Sequence, residues 1–395
     1  MRATGLVLTA AVAAALLIAA PAQARDPHPK CNPKGSQGLA NGGRVRVFRV
    51  ARPSAVDDSE ASRVYACDQL TGRRTVVAYE DLPDQSFGIV QARYAGTVVG
   101  MHVRYCGSRY GCEDLMLSLD VVTRRVVRVS IREATPPHVP FVVAPSGSIA
   151  WIQFGRVERA RADGARELDA GPGAEALALA PNGRLYWTRG GAPRSAELDP
   201  VAEPSELPPD PAFGGSRRCY ERRSKALGSG PRARVYERTA VENSQERREL
   251  VACNLRSGRR TAFRVVDPAT ETYEVEHLRT AGWFVAAAAR GCVRAVCGAA
   301  EIQTVDLRSG TIRYVNPNTG GLGATRTTDL QLLPDGGVAW IFEAGDTRSV
   351  HVCGPASCVM TERSSGVEPG SLALAPDGRA YWTGAGGLPR SAARP

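Results

Sequence analysis

One twelve-residue stretch occurs twice in this chain. It reads LALAPNGRLYWT at 177–188 and LALAPDGRAYWT at 372–383, with ten of the twelve positions identical. Alternating Leu and Ala suit a strand packed between layers, Pro-Asn-Gly or Pro-Asp-Gly suits a tight turn, and Tyr-Trp-Thr is rich in strand formers. The stretch therefore predicts a β-hairpin at the end of each of two related halves.

The resemblance between the halves extends over about 190 residues. Cys31 and the following RVRVF correspond to Cys219 and RARVY, and the CDQLTGRRT that begins at Cys67 corresponds to CNLRSGRRT from Cys253. Repetition at this length indicates a duplicated architecture. The halves span 25–200 and 216–395, and the Pro-rich stretch 201–215 between them is typical of a linker or a surface loop.

The apolar pattern predicts an all-β chain. No 3.6-residue period persists for three turns, whereas short alternating runs bounded by Gly, Pro, Asn or Asp recur throughout. Each half divides into four units at a spacing near 45 residues, which is typical of four-stranded propeller blades. In the first half these units are 44–80, 87–132, 139–169 and 175–198.

Two segments carry a family resemblance. APDGRAYW at 375–382 and VDLRSG at 305–310 resemble the "sPDGxxxYv" and "vxDxxTGxv" segments of exported bacterial β-propellers of the TolB, NHL and YVTN-repeat kinds. The resemblance touches every unit and implies a β-propeller, but it is no functional signature. The even duplication predicts eight blades; seven blades, six blades or two β-sandwich domains are the alternatives.

The last unit of each half is one strand short of a blade. In a closed propeller the segment around Cys31 is expected to supply the missing outer strand of the last blade, because this removes an exposed sheet edge. The segment around Cys219 is expected to do the same for the middle blade.

The first 24 residues have the pattern of a signal peptide. Arg2 precedes an uncharged, Ala-rich and Leu-rich run at 5–20, and Ala22-Gln23-Ala24 matches a small-x-small cleavage site. An uncleaved anchor helix is the alternative. We expect a secreted or extracytoplasmic protein of the periplasm or cell envelope, with no membrane span once the signal is removed.

All ten cysteines follow this signal, an even number that indicates disulfides in an exported chain. Zinc is the alternative, although the close cysteines are separated by four or five residues and not by two. The duplication suggests the partners. The predicted disulfides are Cys31–Cys67, Cys219–Cys253, Cys106–Cys112, Cys292–Cys297 and Cys353–Cys358.

The formal charge of +10 comes almost entirely from arginine. These arginines are scattered and interleaved with acids, a composition typical of a GC-rich bacterial genome. The densest group, Arg217, Arg218, Arg222 and Arg223, lies beside the predicted linker. We expect no nucleic-acid partner, and we expect a monomer.

No residue set in the sequence indicates a reaction. The motifs of zinc proteases, serine hydrolases, phosphate-binding loops and dinucleotide-binding folds are missing. We therefore predict no catalytic, cofactor-binding or metal-ligating residues. Lone histidines are expected to be structural; they are His28, His102, His138, His277 and His351.

Calcium is the one cofactor alternative. Asp57-Asp58-Ser59-Glu60 offers oxygen ligands, but its counterpart Glu242-Asn243-Ser244-Gln245 carries less charge and neither has the register of a calcium loop. A solvated hairpin tip is the favoured interpretation of both segments.

The spacing of the tryptophans indicates positions in the core. Four of the five stand four residues after a turn glycine and are expected to pack between blades: Trp151, Trp187, Trp340 and Trp382. Trp283 stands outside this pattern and has no predicted role.

The leading functional hypothesis is a non-enzymatic exported propeller scaffold whose loops bind a protein, a glycan or the cell wall. The first alternative, implied by resemblance, is a calcium-dependent propeller hydrolase or lactonase with its ion in the central channel. The second is a TolB-like protein that docks another protein during envelope assembly.

Overall fold

The computed structural model describes residues 28–42, 44–53, 60–80, 85–107, 111–131, 139–199, 216–221, 224–230, 232–242, 244–293, 296–315 and 326–395. The predicted signal peptide, 1–24, and the predicted linker, 201–215, lie outside these residues. The described residues contain three single-turn 3-10 helices, at Pro29–Cys31, Arg217–Cys219 and Ala385–Gly387. The other regular elements of the described residues are strands.

The strands of the first half form four antiparallel sheets, numbered here in chain order. Sheet 1 consists of β1 (Gln37–Asn41), β2 (Val45–Pro53), β3 (Glu60–Asp68) and β4 (Arg74–Glu80). Sheet 2 consists of β5 (Ser86–Ala95), β6 (Val98–Gly107), β7 (Gly111–Asp120) and β8 (Val126–Ile131). Sheet 3 consists of β9 (Phe141–Val143), β10 (Ile149–Gln153), β11 (Arg156–Arg161) and β12 (Gly164–Asp169). Sheet 4 consists of β13 (Ala174–Leu179), β14 (Arg184–Arg189) and β15 (Ala192–Glu197).

The second half repeats this arrangement. Sheet 5 consists of β16 (Lys225–Ser229), β17 (Ala233–Glu242), β18 (Gln245–Asn254) and β19 (Arg260–Val266). Sheet 6 consists of β20 (Thr272–Ala281), β21 (Phe284–Val293), β22 (Val296–Asp306) and β23 (Thr311–Val315). Sheet 7 consists of β24 (Arg326–Leu332), β25 (Val338–Ala344), β26 (Thr347–Cys353) and β27 (Cys358–Ser364). Sheet 8 consists of β28 (Ala373–Leu374), β29 (Ala380–Thr383) and β30 (Pro389–Ala392).

The all-β, eight-bladed β-propeller made of two duplicated halves is confirmed. Strands within each sheet are hydrogen-bonded in chain order, as the strands of a propeller blade are. The predicted turns join the first two strands of sheets 4 and 8, where Gly183 and Gly378 adopt φ of 79° and 89°. Glycine occupies this left-handed region without the steric cost of a Cβ atom.

The first strands of neighbouring sheets lie side by side, so they form the inner layer of the molecule. These contacts join β1 to β5, β5 to β9 and β9 to β13 in the first half, and β16 to β20, β20 to β24 and β24 to β28 in the second. The two series meet where β13 contacts β28. Fourth strands therefore lie on the outside.

Buried apolar clusters join the sheets in the order 1-2-3-4-8-7-6-5. The halves meet through sheets 4 and 8, so the chain does not continue directly from blade 4 into blade 5. Within the described residues, no buried apolar cluster connects sheet 1 with sheet 5.

The interface between sheets 4 and 8 is nearly symmetrical. Tyr186 and Tyr381 stack with their ring centroids 5.8 Å apart. The Tyr186 hydroxyl lies 2.7 Å from Thr383 Oγ1, and the Tyr381 hydroxyl bonds Thr188 in the same way. Each tyrosine thus meets the threonine of the other copy, so a local two-fold axis relates the duplicated hairpins.

The four repeated tryptophans lie in the core between sheets, as predicted. Trp187 and Trp382 face sheets 3 and 7, on the side of each strand opposite to the tyrosines. Trp151 packs between sheets 2 and 3, and Trp340 packs between sheets 6 and 7. Neighbouring Tyr and Trp residues point to opposite faces because side chains alternate along a strand.

The prediction that the segments around Cys31 and Cys219 supply the missing outer strands of the last and middle blades is wrong. β1 pairs with β2 inside sheet 1, and β16 pairs with β17 inside sheet 5, so among the described residues sheets 4 and 8 have three strands each. The physical reason is the disulfide from each segment to the third strand of its own sheet, Cys31–Cys67 and Cys219–Cys253. Each segment covers an outer aromatic face, which contains Phe48 in sheet 1 and Tyr236 in sheet 5.

Candidate functional site

All ten cysteines form disulfides, with the five predicted pairings. Two bridges tie down the segments that cover sheets 1 and 5. The other three close turns, with partners five or six residues apart. Covalent closure of a turn limits the conformations that the exposed loop can adopt. Each of these bridges therefore fixes the distance between the two chain segments that it joins.

Two of the bridged turns are hairpins at equivalent places in the halves. In sheet 2, β8 pairs with 114–119 of β7, so the Cys106–Cys112 tip extends past the end of the outer strand. In sheet 6, β23 pairs with 302–306 of β22, and the Cys292–Cys297 tip extends further still. We call these the projecting hairpins; their residues 108–110 and 294–295 lie outside the described residues.

Charged pairs hold the bases of both projecting hairpins. Arg104 donates to the two carboxylate oxygens of Asp114 at 2.9 and 2.8 Å, and its hydrogen bonds lower the pKa of that carboxyl. The equivalent Arg290 donates to Glu274 at 2.6 Å. A bidentate pair between arginine and a carboxylate fixes the relative position of the two groups.

The tips themselves differ between the halves. Glycines flank the disulfide of the first, at Gly107 and Gly111, and valines flank that of the second, at Val293 and Val296. The valines are 55% and 76% exposed. Single exposed apolar residues are ordinary, but two beside one disulfide provide adjacent apolar contact area.

The inner strands carry an ionisable group of residues that the sequence did not reveal. We call Glu276, His277, Arg279 and Asp329 the inner-strand cluster. His277 Nε2 donates to Thr327 O at 2.9 Å, and Glu276 accepts from Thr327 N at 2.7 Å. These bonds join the first strand of sheet 6 to the first strand of sheet 7.

Burial changes the protonation of this cluster. Burial raises the pKa of Asp329 to about 7, and burial also raises the pKa of Glu276. Burial lowers the pKa values of His277 and Arg279. The side chains of Glu276, His277 and Asp329 all bond to the backbone of the neighbouring sheet. In chemical terms, the cluster braces sheets 6, 7 and 8 against one another.

A similar brace occurs in the first half. The strand bulges between Ile89 and Gln91 as it does between Val275 and His277. There the Gln91 amide donates to Val139 O, 3.2 Å away. A β-bulge re-aims one side chain of a strand, and it leaves no signature in an alternating apolar pattern. The bulge explains why sequence reasoning missed both braces.

The described histidines have structural surroundings. His102 is fully buried, 3.4 Å from Asp114. His351 stacks on Trp340 with 5.0 Å between ring centroids, and burial lowers its pKa to about 4. The His28 ring lies against Gly72. His138 lies outside the described residues. Trp283, which had no predicted role, holds the Arg232 guanidinium 4.5 Å from its ring.

Within the described ranges, no three or more His, Cys, Asp or Glu side chains are grouped as metal ligands. The calcium candidates Asp57, Asp58 and Ser59 lie outside those ranges, so calcium binding stays a prediction. The described part of the chain also contains no helix of the length and hydrophobicity that a membrane crossing needs.

No protein-family model and no curated protein matches this sequence. Among solved structures, the chain is similar to the β-propeller domain of the Trilobed protease from Pyrococcus furiosus, at 8% identity and a TM-score of 0.26, over 83% of this chain and 96% of that one. It is also similar to an oligogalacturonate lyase from Vibrio parahaemolyticus, at 9% identity and a TM-score of 0.26, over 89% and 86%. A prolyl endopeptidase matches at 10% identity and a TM-score of 0.26, over 92% of this chain and 55% of its own. These likenesses are remote.

Proposed function

We propose that this protein is a non-enzymatic, exported scaffold that binds a partner protein through its projecting hairpins. The observation that supports the proposal is the pair of disulfide-bridged tips at equivalent positions of the two halves. A disulfide across the end of a hairpin reduces the conformational freedom that the hairpin can lose on binding, so more of its contact energy appears as affinity. Five disulfides, two on sheets and three at turns, also favour an oxidising compartment outside the cytoplasm.

The second projecting hairpin is the better candidate for the contact. Val293 and Val296 are a cross-strand pair next to the Cys292–Cys297 bridge and present exposed apolar side chains, where the first hairpin has glycines. Apolar side chains at the centre of a contact contribute most of the binding energy of protein interfaces. Docking of another envelope protein, as in TolB relatives, is the form of this proposal that the family resemblance favours.

The test compares partner capture by matched variants. The purified protein and the variant V293D/V296D are used as bait against envelope extract and culture fluid of the source organism. We expect the wild-type protein to retain a saturable partner, and we expect the double variant to lose at least ten-fold in affinity because a buried, unpaired carboxylate is costly.

The matched control places a charge at the end of the first hairpin, as G107D, because Gly107 lies outside the left-handed region that Gly111 occupies. It should retain the partner if the second hairpin makes the contact. Equal capture by the wild-type protein and V293D/V296D would contradict the proposal. Thermal unfolding of each variant shows whether its fold is intact.

A further inference from the structure

A basic pocket lies beside sheet 1, away from the projecting hairpins. Its volume is about 470 Å³ and its lining contains four cationic side chains and no carboxylate among the described residues. We call it the first-half basic pocket. The lining consists of Lys30, Thr71, Gly72, Arg73, Arg74 and Arg124.

The turn between β3 and β4 sets the shape of the pocket. Thr71 Oγ1 donates to Asp68 at 2.8 Å, and Gly72 adopts a φ of 71°. A Cβ atom on Gly72 would lie 2.2 Å from the His28 ring, so the N-terminal segment approaches this turn as closely as glycine permits. The backbone of the pocket is therefore held from both sides.

Two arginines of the lining are held in place by neighbouring groups. Arg73 donates to Val122 O at 3.3 Å. The Arg74 guanidinium lies 5.6 Å and 5.8 Å from the ring centroids of Phe48 and Tyr65. A guanidinium group that is held in position by its neighbours is suited to phosphate and sulfate oxygens.

The second half has the same turn, but there a carboxylate neutralises the arginines. Arg260, the counterpart of Arg74, donates to Glu221 at 2.9 Å, and Glu221 also accepts from Arg238. Glu221 stands two residues after Cys219, whereas Pro33 stands two residues after Cys31. The first half therefore lacks the carboxylate that balances the arginines of the second.

Arg124 marks a second difference between the halves. Its φ is 64°, in the left-handed region that residues other than glycine rarely adopt. The counterpart at this turn is Gly310, with a φ of 76°. An arginine here imposes backbone strain that glycine would avoid. Strain of this kind is characteristic of binding and catalytic sites.

We infer that the first-half basic pocket binds a small ligand that carries two or more phosphate or sulfate groups. The volume falls within the range of about 300–1,000 Å³ that is typical of small-molecule sites. Four cations around one cavity exceed what a single singly charged group would neutralise. The ligand needs no contact with the hairpins, so this site is independent of the proposed function.

The test measures binding of tripolyphosphate to the purified protein by titration calorimetry, at low salt and at about 150 mM salt. We expect one site per chain. Arg124→Gly copies the other half and removes a charge without adding strain, and we expect it to weaken binding at least five-fold. Pro33→Glu supplies the missing carboxylate, and we expect a similar or larger loss.

The matched control is Arg259→Gln, which removes the counterpart of Arg73 from the second half. We expect it to bind tripolyphosphate as the wild-type protein does. Equal, weak binding by the wild-type protein, Arg124→Gly and Pro33→Glu would overturn the inference, because general attraction to a chain of net charge +10 would then explain it. Melting curves establish that each variant is folded, so a loss of binding reports on the pocket.

Discussion

At the scale of single residues, the most unusual group is the carboxyl of Asp329. It is 3% exposed and accepts a hydrogen bond from Gly370 N at 2.6 Å. Burial raises its pKa to about 7, although this hydrogen bond and the Arg279 charge oppose the rise. Asp329 therefore changes its charge near neutral pH, which an ordinary aspartate does not.

Asp329 should make the stability of the fold decrease as the pH rises. Its pKa of about 7 in the folded chain exceeds the value of about 3.9 for an unfolded chain. Between these values the folded chain binds more protons, so the free energy of unfolding decreases from about pH 4 to pH 7 and the loss is complete above that window. Asp329→Asn removes this dependence. The melting temperature of the variant relative to wild type should therefore be higher at pH 8 than at pH 4, by an amount equivalent to a few kcal/mol.

Asp335 provides a control of opposite sign. Burial raises the pKa of Asp335, but the hydrogen bonds from Arg394 and Gly337 N outweigh it and the net pKa is lowered. Its stabilising contribution is present above the unfolded-state pKa and disappears as the pH decreases. Because the unfolded-state pKa is about 3.9 and the folded value lies below it, Asp335→Asn should lose more stability at pH 8 than at pH 2. If the melting temperatures of wild type and Asp329→Asn change in parallel between pH 4 and pH 8, Asp329 is not the group that makes the stability depend on pH.

The sequence predicted some residue environments and not others. The buried tryptophans followed from alternation, because regular strands send every second side chain to the same face. The burial of Asp329 did not follow from alternation, because the bulge between Thr327 and Asp329 turns this side chain inward beside Leu330. Its counterpart in the first half, Pro140, carries no charge that would have revealed an acidic site.

At the scale of elements, the disulfides divide into two classes by the length of chain that each one closes. Cys31–Cys67 and Cys219–Cys253 span 36 and 34 residues. Cys106–Cys112, Cys292–Cys297 and Cys353–Cys358 span five or six. The longer bridges hold whole segments against sheets 1 and 5, and the shorter ones shape single turns.

The two classes should contribute differently to stability. Closing a loop of about 35 residues restricts the unfolded chain by about 4 kcal/mol, against about 2 kcal/mol for a loop of five or six. Replacing both cysteines by serine at Cys31–Cys67 should therefore lower the free energy of unfolding about twice as much as the same change at Cys292–Cys297. Guanidinium titration of both variants without reductant measures the difference. Equal losses would mean that unfolded-chain restriction is not what these bridges contribute.

Element boundaries were predictable where turn residues are distinctive. The Pro-Asn-Gly and Pro-Asp-Gly turns lie where the sequence places them. β1 was missed because Gln37–Asn41 has no alternating apolar pattern and is bulged between Gly38 and Ala40. The predicted Cys31–Cys67 bridge already implied that this segment stays at sheet 1, since its cysteine cannot reach another blade at the same time.

At the scale of the whole molecule, the duplication predicted eight blades but not which blades meet. Repeated sequence specifies local units, whereas contacts between units depend on which apolar faces fit together. The alanine and tyrosine faces of sheets 4 and 8 fit each other because the sequence in both is nearly the same. A face that fits its own copy forms a two-fold contact.

This symmetry predicts that one half alone pairs with itself. A chain of residues 25–200 would expose the face that contains Ala178, Ala180 and Tyr186, which the full chain buries. A second copy offers the same partners as sheet 8, with Tyr186 stacked on its equivalent and bonded to Thr188. We expect this half to form a dimer at micromolar concentration, measured by light scattering after size-exclusion chromatography. Tyr186→Arg should give a monomer, because like charges would then face each other across the axis. A folded, monomeric half with Tyr186 intact would show that the linkage between halves, and not self-complementarity, holds sheets 4 and 8 together.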